Sequence, residues 1–201
     1  MGFDLYGKNP TNPEGHQPPS FDWSRTDIDD SEKKAYFEAL EEYQKKVKGD
    51  YFRANVWWWR PIWDFTCYEC DDILSDKDRE SGSFNDSHFI NKAKSIRIAK
   101  RLYKAIENGR AKEYEDRIEK IMSKAKKKNA EIDAQLERIR DKVVEQTGKS
   151  DIVPKDYPEK WFNEWTRVNN KKDWSASYPF SEEFLKEFAD FSKESGGFYI
   201  G

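Results

Sequence analysis

The chain has 201 residues, 36 Lys and Arg against 39 Asp and Glu, a formal net charge of −3 and only two cysteines. That length suits one domain or a domain with an appendage, two cysteines exclude a disulfide framework, and no window approaches the 18 or more apolar residues of a spanning helix. Leu, Ile, Val and Phe number only 38, a share that borders on the disordered range, but the net charge is low and 8 Trp and 10 Tyr offer large buriable area, so the expectation is a folded protein with an aromatic core and a charged surface.

The N-terminus, Met-Gly-Phe-Asp-Leu-Tyr-Gly-Lys, lacks the basic start and long apolar run of a signal peptide, which predicts a cytoplasmic protein without a membrane anchor. Residues 2–7 alternate Phe3 and Leu5 against Asp4 and Tyr6, the pattern of a short strand. Residues 196–201 have the same look. Because a lone strand must pair, the two termini are expected to form a small sheet. Residues 8–23 carry four prolines and read as irregular. Ser31 is the expected cap of a helix over 32–48, with Tyr36, Leu40, Tyr43 and Val47 on one face.

Residues 53–65, Arg-Ala-Asn-Val-Trp-Trp-Trp-Arg-Pro-Ile-Trp-Asp-Phe, hold four of the eight tryptophans. Proline lacks an amide proton and clashes with the preceding turn, so a helix is predicted to start near Arg60 and run to Leu74. Residues 76–85 read as a polar loop. Asn91 caps the next helix, 92–108, with an apolar stripe at Ala93, Ile96, Ala99, Tyr103 and Ile106. Residues 110–147 contain no proline or glycine and carry two stripes, Tyr114, Ile118, Ile121, Ala125 and Ile132, Leu136, Ile139, Val143, joined across Lys126–Asn129. A helical hairpin and one long helix both fit. Trp161, Phe162 and Trp165 lie in a short helix expected to clamp onto the body, and Ser181 caps a final helix, 182–195, burying Phe184, Leu185, Phe188 and Phe191. The predicted fold is α+β and predominantly helical. It comprises a small sheet of the paired termini, an aromatic core, and a body of residues 1–109 and 150–201 into which a charged, protruding helical arm at 110–149 is inserted.

Four motifs, Gly-Phe-Asp-Leu-Tyr-Gly-x-x-Pro at the start, Tyr-Phe-Arg-x-Asn-Val-Trp-Trp-Trp-Arg-Pro-x-Trp-Asp at 51–64, Gly-x-Phe-Asn-Asp at 82–86, and Tyr-Pro-Phe-Ser with Ser-Gly-Gly-Phe at 178–198, resemble an uncharacterised family of bacteriophage and metagenomic proteins. The resemblance covers about half of the chain. It implies a phage origin, and hence the cytoplasm of an infected host cell, but no catalytic activity. Relatives carry Cys-x-x-Cys knuckles where this chain has charged helix without cysteine, so their zinc role does not transfer.

In the tryptophan block, indole faces can stack on a flat, nucleotide-like ligand while Arg53 and Arg60 hold phosphate and Asn55 bonds an edge. The competing reading is a packed core with an Arg60–Asp64 ion pair one turn apart. Trp57, Trp58 and Trp59 must diverge in direction, and with Asp64 and Asn85 they complete the candidate ligand-binding set. Asp4, Asp86 and His88, with Asn85, are candidates for a metal-dependent or acid–base site, against ordinary turn chemistry at 84–88. Cys67, Cys70, His16 and His88 would exhaust every soft zinc ligand, and the cysteines read instead as free thiols, with no metal or cofactor expected. Residues 91–150 hold 18 Lys and Arg against 10 Asp and Glu, which a nucleic acid or an acidic partner would match. The leading expectation is a non-enzymatic phage accessory protein binding a host or phage protein, or a small nucleotide-like ligand, and counteracting a host process or defence. The alternatives are a metal-dependent hydrolase or transferase, and a nucleic-acid-binding or coiled-coil protein that forms homo-oligomers through the 110–147 arm.

Overall fold

A computed structural model describes residues 2–201. Among the described residues there are four strands and seven α-helices, an α+β arrangement dominated by helix. The strands are β1 (Gly2–Gly7), β2 (Tyr51–Asn55), β3 (His88–Asn91) and β4 (Gly197–Ile200). They form one antiparallel sheet in the order β2-β1-β4-β3. The two terminal strands do pair, through Leu5 with Ile200 and Tyr6 with Tyr199. Two strands that the sequence reading did not separate complete the sheet. β2 is the first part of the tryptophan block, alternating buried Phe52 and Ala54 with exposed Arg53 and Asn55, and β3 has only four residues, too few for a period to stand out.

The helices are α1 (Asp30–Lys46), α2 (Val56–Glu69), α3 (Asp76–Ser81), α4 (Lys92–Glu107), α5 (Arg110–Thr147), α6 (Glu159–Asn169) and α7 (Glu182–Glu194). Several expected bounds change, each for a local reason. α1 is capped by Asp29 rather than Ser31, because Asp29 and Glu32 make a reciprocal capping box. α2 starts at Val56, not near Arg60, since the side-chain Oδ1 of Asn55 accepts from the amides of Trp57 and Trp58 at 3.0 and 3.1 Å. Pro61 is therefore accommodated inside the helix. The burial of Trp59, Ile62, Trp63 and Phe65 outweighs the bond that a proline removes there. Residues 76–81, expected as loop, form α3 behind a Ser75–Asp78 capping box.

In α4 the buried stripe is Ser95, Ile98, Ala99, Leu102 and Ala105, rotated from the expected Ala93, Ile96, Tyr103 and Ile106. Burying Ser95 is possible because its hydroxyl donates to the Ser192 carbonyl, and a hydrogen-bonded polar group is tolerated in a core. α5 is one continuous helix of 38 residues, which decides against the hairpin. Ala125 and Ile132 are seven residues apart, two helical turns, so one helix keeps both stripes on nearly the same side.

The chain divides into two compact units, residues 2–115 with 180–201, and residues 116–179. In the first, the inner sheet face (Phe3, Leu5, Phe52, Ala54, Ile90, Phe198, Ile200) is buried with α2, α4 and α7. Phe52 alone meets Phe184, Phe188 and Phe191 at 5.2–5.7 Å. In the second, Ile132, Leu136, Ile139 and Val143 of α5 are buried with Tyr157 and Val168, and Ile152, Trp161 and Trp165 pack against them. Residues 150–179, expected in the body, thus close on the arm. They cover the second of the two stripes that a coiled coil would have used, while Ile121 of the first is exposed.

Candidate ligand-binding notch at the tryptophan block

Strand β2 runs directly into α2, so one short segment delivers residues to two surfaces. The side chains of the Trp-Trp-Trp run diverge, as successive helical positions must. Trp59 is fully buried, stacked between Phe3 at 5.4 Å and Trp63 at 5.3 Å. Its indole Nε1 donates to the Gly82 carbonyl at 2.7 Å. It belongs to the core and is withdrawn from the candidate ligand set. Trp57 is 39% exposed. Trp58 takes the direction between them and lines a surface notch of about 330 Å³, at the low end of ligand-sized pockets.

Of the eight residues expected to contact a ligand, Arg53, Asn55 and Trp58 converge there, and α7 brings Ser181, Glu183, Phe184 and Glu187 to the opposite side. Trp58 and Phe184 meet edge to face, with ring centroids 5.4 Å apart, and give the notch an aromatic wall. The Arg53 side chain is 70% exposed, and the Asp4 carboxylate lies 3.5 Å away, long for a charge-assisted bond. Asn55 and Ser181 are both helix caps, so their side-chain oxygens are committed to the amides of α2 and α7. What Asn55 retains for a ligand is its amide nitrogen. Among the described residues neither Glu183 nor Glu187 makes a hydrogen bond or ion pair. Burial, followed by the charges of Glu183 and Asp190, pushes the Glu187 carboxyl up. This acidic side is not legible in the sequence. Glu183 and Glu187 lie one turn apart on α7, but nothing in their local pattern shows that α7 faces the tryptophan block.

The remaining candidates lie elsewhere. Arg60 and Asp64 are exposed one turn apart on α2; partial desolvation pushes the Asp64 carboxyl up and the Arg60 charge offsets part of that rise. Neither lines the notch. Asn85 donates to the Gly2 carbonyl at 2.5 Å and ties the 82–87 loop to β1, a structural use. Asp86 is exposed in that loop.

Asp4 and His88, proposed partners in a metal or acid–base site, are on opposite faces of the sheet. Asp4 accepts from the Tyr51 hydroxyl on the outer face, whereas His88 starts β3 on the inner side and meets buried Asp78 at 2.9 Å. Asp78 also accepts from the Ser75 amide and hydroxyl, at 2.8 and 2.7 Å, and from Lys94. Burial opposes its ionisation, but the bonds from Lys94, Ser75 and His88 outweigh it and hold the carboxyl well below the usual carboxylate range. One carboxylate thus knots α3, β3 and α4 together. The Ser75-x-x-Asp78 spacing was the sequence signal for it.

Burial pushes both the Cys67 and Cys70 thiols up to about 12. Among the described residues no cluster of three His, Cys, Asp or Glu side chains is arranged to hold a metal. The basic excess of residues 91–150 is partly spent internally: Arg101 pairs with Asp72 at 2.8 Å and Arg110 grips buried Glu69 through two bonds of 2.7 and 3.0 Å. Among the described residues no helix is long and apolar enough to cross a membrane. Compared with family models, curated proteins and solved structures, the chain matches none of them.

Proposed function

We propose that this is a non-enzymatic binding protein that takes a small nucleotide-like ligand in the notch at the tryptophan block. The observation that carries the reading is the convergence of Arg53, Asn55 and Trp58 with Phe184 and two unpaired carboxylates in one ligand-sized hollow. A flat ring fits against the Trp58–Phe184 wall, Arg53 supplies a charge for a phosphate, and Glu187 accepts from the amino or imino hydrogens of a nucleobase edge. The separation of Asp4 from His88 favours binding over acid–base chemistry. Motif resemblance alone supports a phage origin. In that setting the protein would act by sequestering the ligand, or by docking on a host protein that carries it, to blunt a host process.

The test is a tryptophan-fluorescence titration with the four ribonucleoside monophosphates. The expected result is saturable quenching by at least one of them, weakened about tenfold by Arg53→Ala, the equivalent of about 1.4 kcal/mol. Absence of any saturable change up to millimolar concentrations overturns the reading.

A further inference from the structure

The outer face of the sheet is a second surface, independent of the notch. The strand register places four aromatic residues in a single row across all four strands: Tyr51 opposite Tyr6, Tyr6 opposite Tyr199, and Tyr199 opposite Phe89. The Tyr51 and Tyr6 rings lie 5.3 Å apart and the Tyr199 and Phe89 rings 4.7 Å apart. At about 4.8 Å between neighbouring strands the row is roughly 14 Å long. Its middle members are open to solvent, Tyr6 at 51% and Tyr199 at 37% exposure. Cross-strand aromatic pairs contribute about 0.2–1 kcal/mol each to a sheet, and Tyr6 and Tyr199 keep ring surface open to solvent beyond that contact.

Two cations lie beside the row. Lys8, just past β1, holds its ammonium 4.7 Å from the centre of the Phe89 ring. Arg53 lies on β2 next to the row. The one carboxylate among the outward positions of the four strands, Asp4, accepts from the Tyr51 hydroxyl and lies 3.5 Å from Arg53. A row of π-faces flanked by cations at two ends is complementary to an unpaired polynucleotide, whose bases stack on aromatic side chains while its phosphates meet Lys and Arg.

We infer that the outer sheet face, through Tyr51, Tyr6, Tyr199 and Phe89 with Lys8 and Arg53, binds single-stranded nucleic acid. Duplex is excluded because its bases are not free to lie on the rings. The surface stands without the notch, although Arg53 borders both.

The experiment is fluorescence anisotropy of labelled 15-nucleotide deoxythymidine and deoxyadenosine oligomers, and of a duplex of the same length, with the full chain at low and moderate salt. The expected result is single-strand binding that weakens with salt, at least tenfold tighter than duplex binding. The double variant Tyr6→Ala/Tyr199→Ala should lose about tenfold or more, and Tyr6→Phe, which keeps the ring, should not. Near-UV circular dichroism checks that each variant is folded. Ultraviolet cross-linking of the unaltered chain, followed by peptide mapping to residues 2–8, 51–55, 88–91 or 197–201, tests the surface even if a variant fails to fold. Equal binding of duplex, an unchanged double variant, cross-links confined to other segments, or no anisotropy change at low salt each overturns the inference. Phe184→Ala separates the two readings: it should weaken mononucleotide quenching and leave oligomer anisotropy unchanged.

Discussion

Gly82→Ala tests how tightly the tryptophan block is assembled. Gly82 has φ −65° and ψ −12°, a conformation open to any L-residue, so backbone freedom is not the reason for a glycine here. The reason is contact. An added Cβ would lie 2.1 Å from Cε2 and Cζ2 of Trp63 and 2.5 Å from its Nε1, far inside van der Waals distance. Trp63 cannot swing away cheaply, because it is 1% exposed, is stacked on Trp59, and donates to the Arg79 carbonyl at 3.0 Å. If the loop moves instead, the bond from Trp59 to the Gly82 carbonyl is strained. Overpacking costs about 1–3 kcal/mol and a weakened indole hydrogen bond about 0.5–1.5 kcal/mol, a total of roughly 2–4 kcal/mol. At about 2–4 °C per kcal/mol for a protein of this size, Tm should fall by roughly 5–15 °C, measured by near-UV circular dichroism. A variant within about 2 °C of the parent would refute the packing argument.

Both cysteine thiols, raised to about 12 by burial, should resist iodoacetamide at pH 8 in the native protein and react fully in denaturant. Mass spectrometry reads the outcome, and rapid native alkylation of either would contradict it. Asp78→Asn should destabilise the fold at pH 7 by about 3–5 kcal/mol, because Lys94 and His88 lose a buried partner. Since the folded carboxyl titrates below its ordinary value, its contribution is present above about pH 4 and fades as pH falls towards the folded pKa. Urea melts of parent and variant should therefore converge at pH 3 relative to pH 7, and a pH-independent gap would show that the carboxylate charge is not what matters.

Elements bounded by their own caps were legible from the residues alone. Asn91 and Ser181 start α4 and α7 where their spacing placed them. The paired termini followed from the alternation of Phe3 and Leu5 with Asp4 and Tyr6, and from its counterpart at the other end of the chain. What failed locally did so where a distant partner outweighed a local rule. Pro61 signalled a helix start, but the cap at Asn55 and the burial of four large side chains extend α2 past it. Ser95 broke the apparent stripe of α4 until the Ser192 carbonyl made its burial affordable.

The candidate sites divide in the same way. Arg53, Asn55 and Trp58 could be singled out because a bulky apolar run carrying polar heads requires partners for them. Glu183, Phe184 and Glu187 could not, since their place beside that run depends on how α7 crosses β2 some 130 residues away in sequence. The aromatic row is a sharper case. Tyr6, Tyr51, Phe89 and Tyr199 sit in four separate segments, and each alone is an ordinary outward position on a strand. Sequence by itself determined that this chain builds an aromatic core and, at the two termini, which residues alternate towards solvent. Only the tertiary structure decided that Tyr51 and Phe89 face outward as well and share one line with Tyr6 and Tyr199, because strand register is set by backbone pairing between segments distant in the chain.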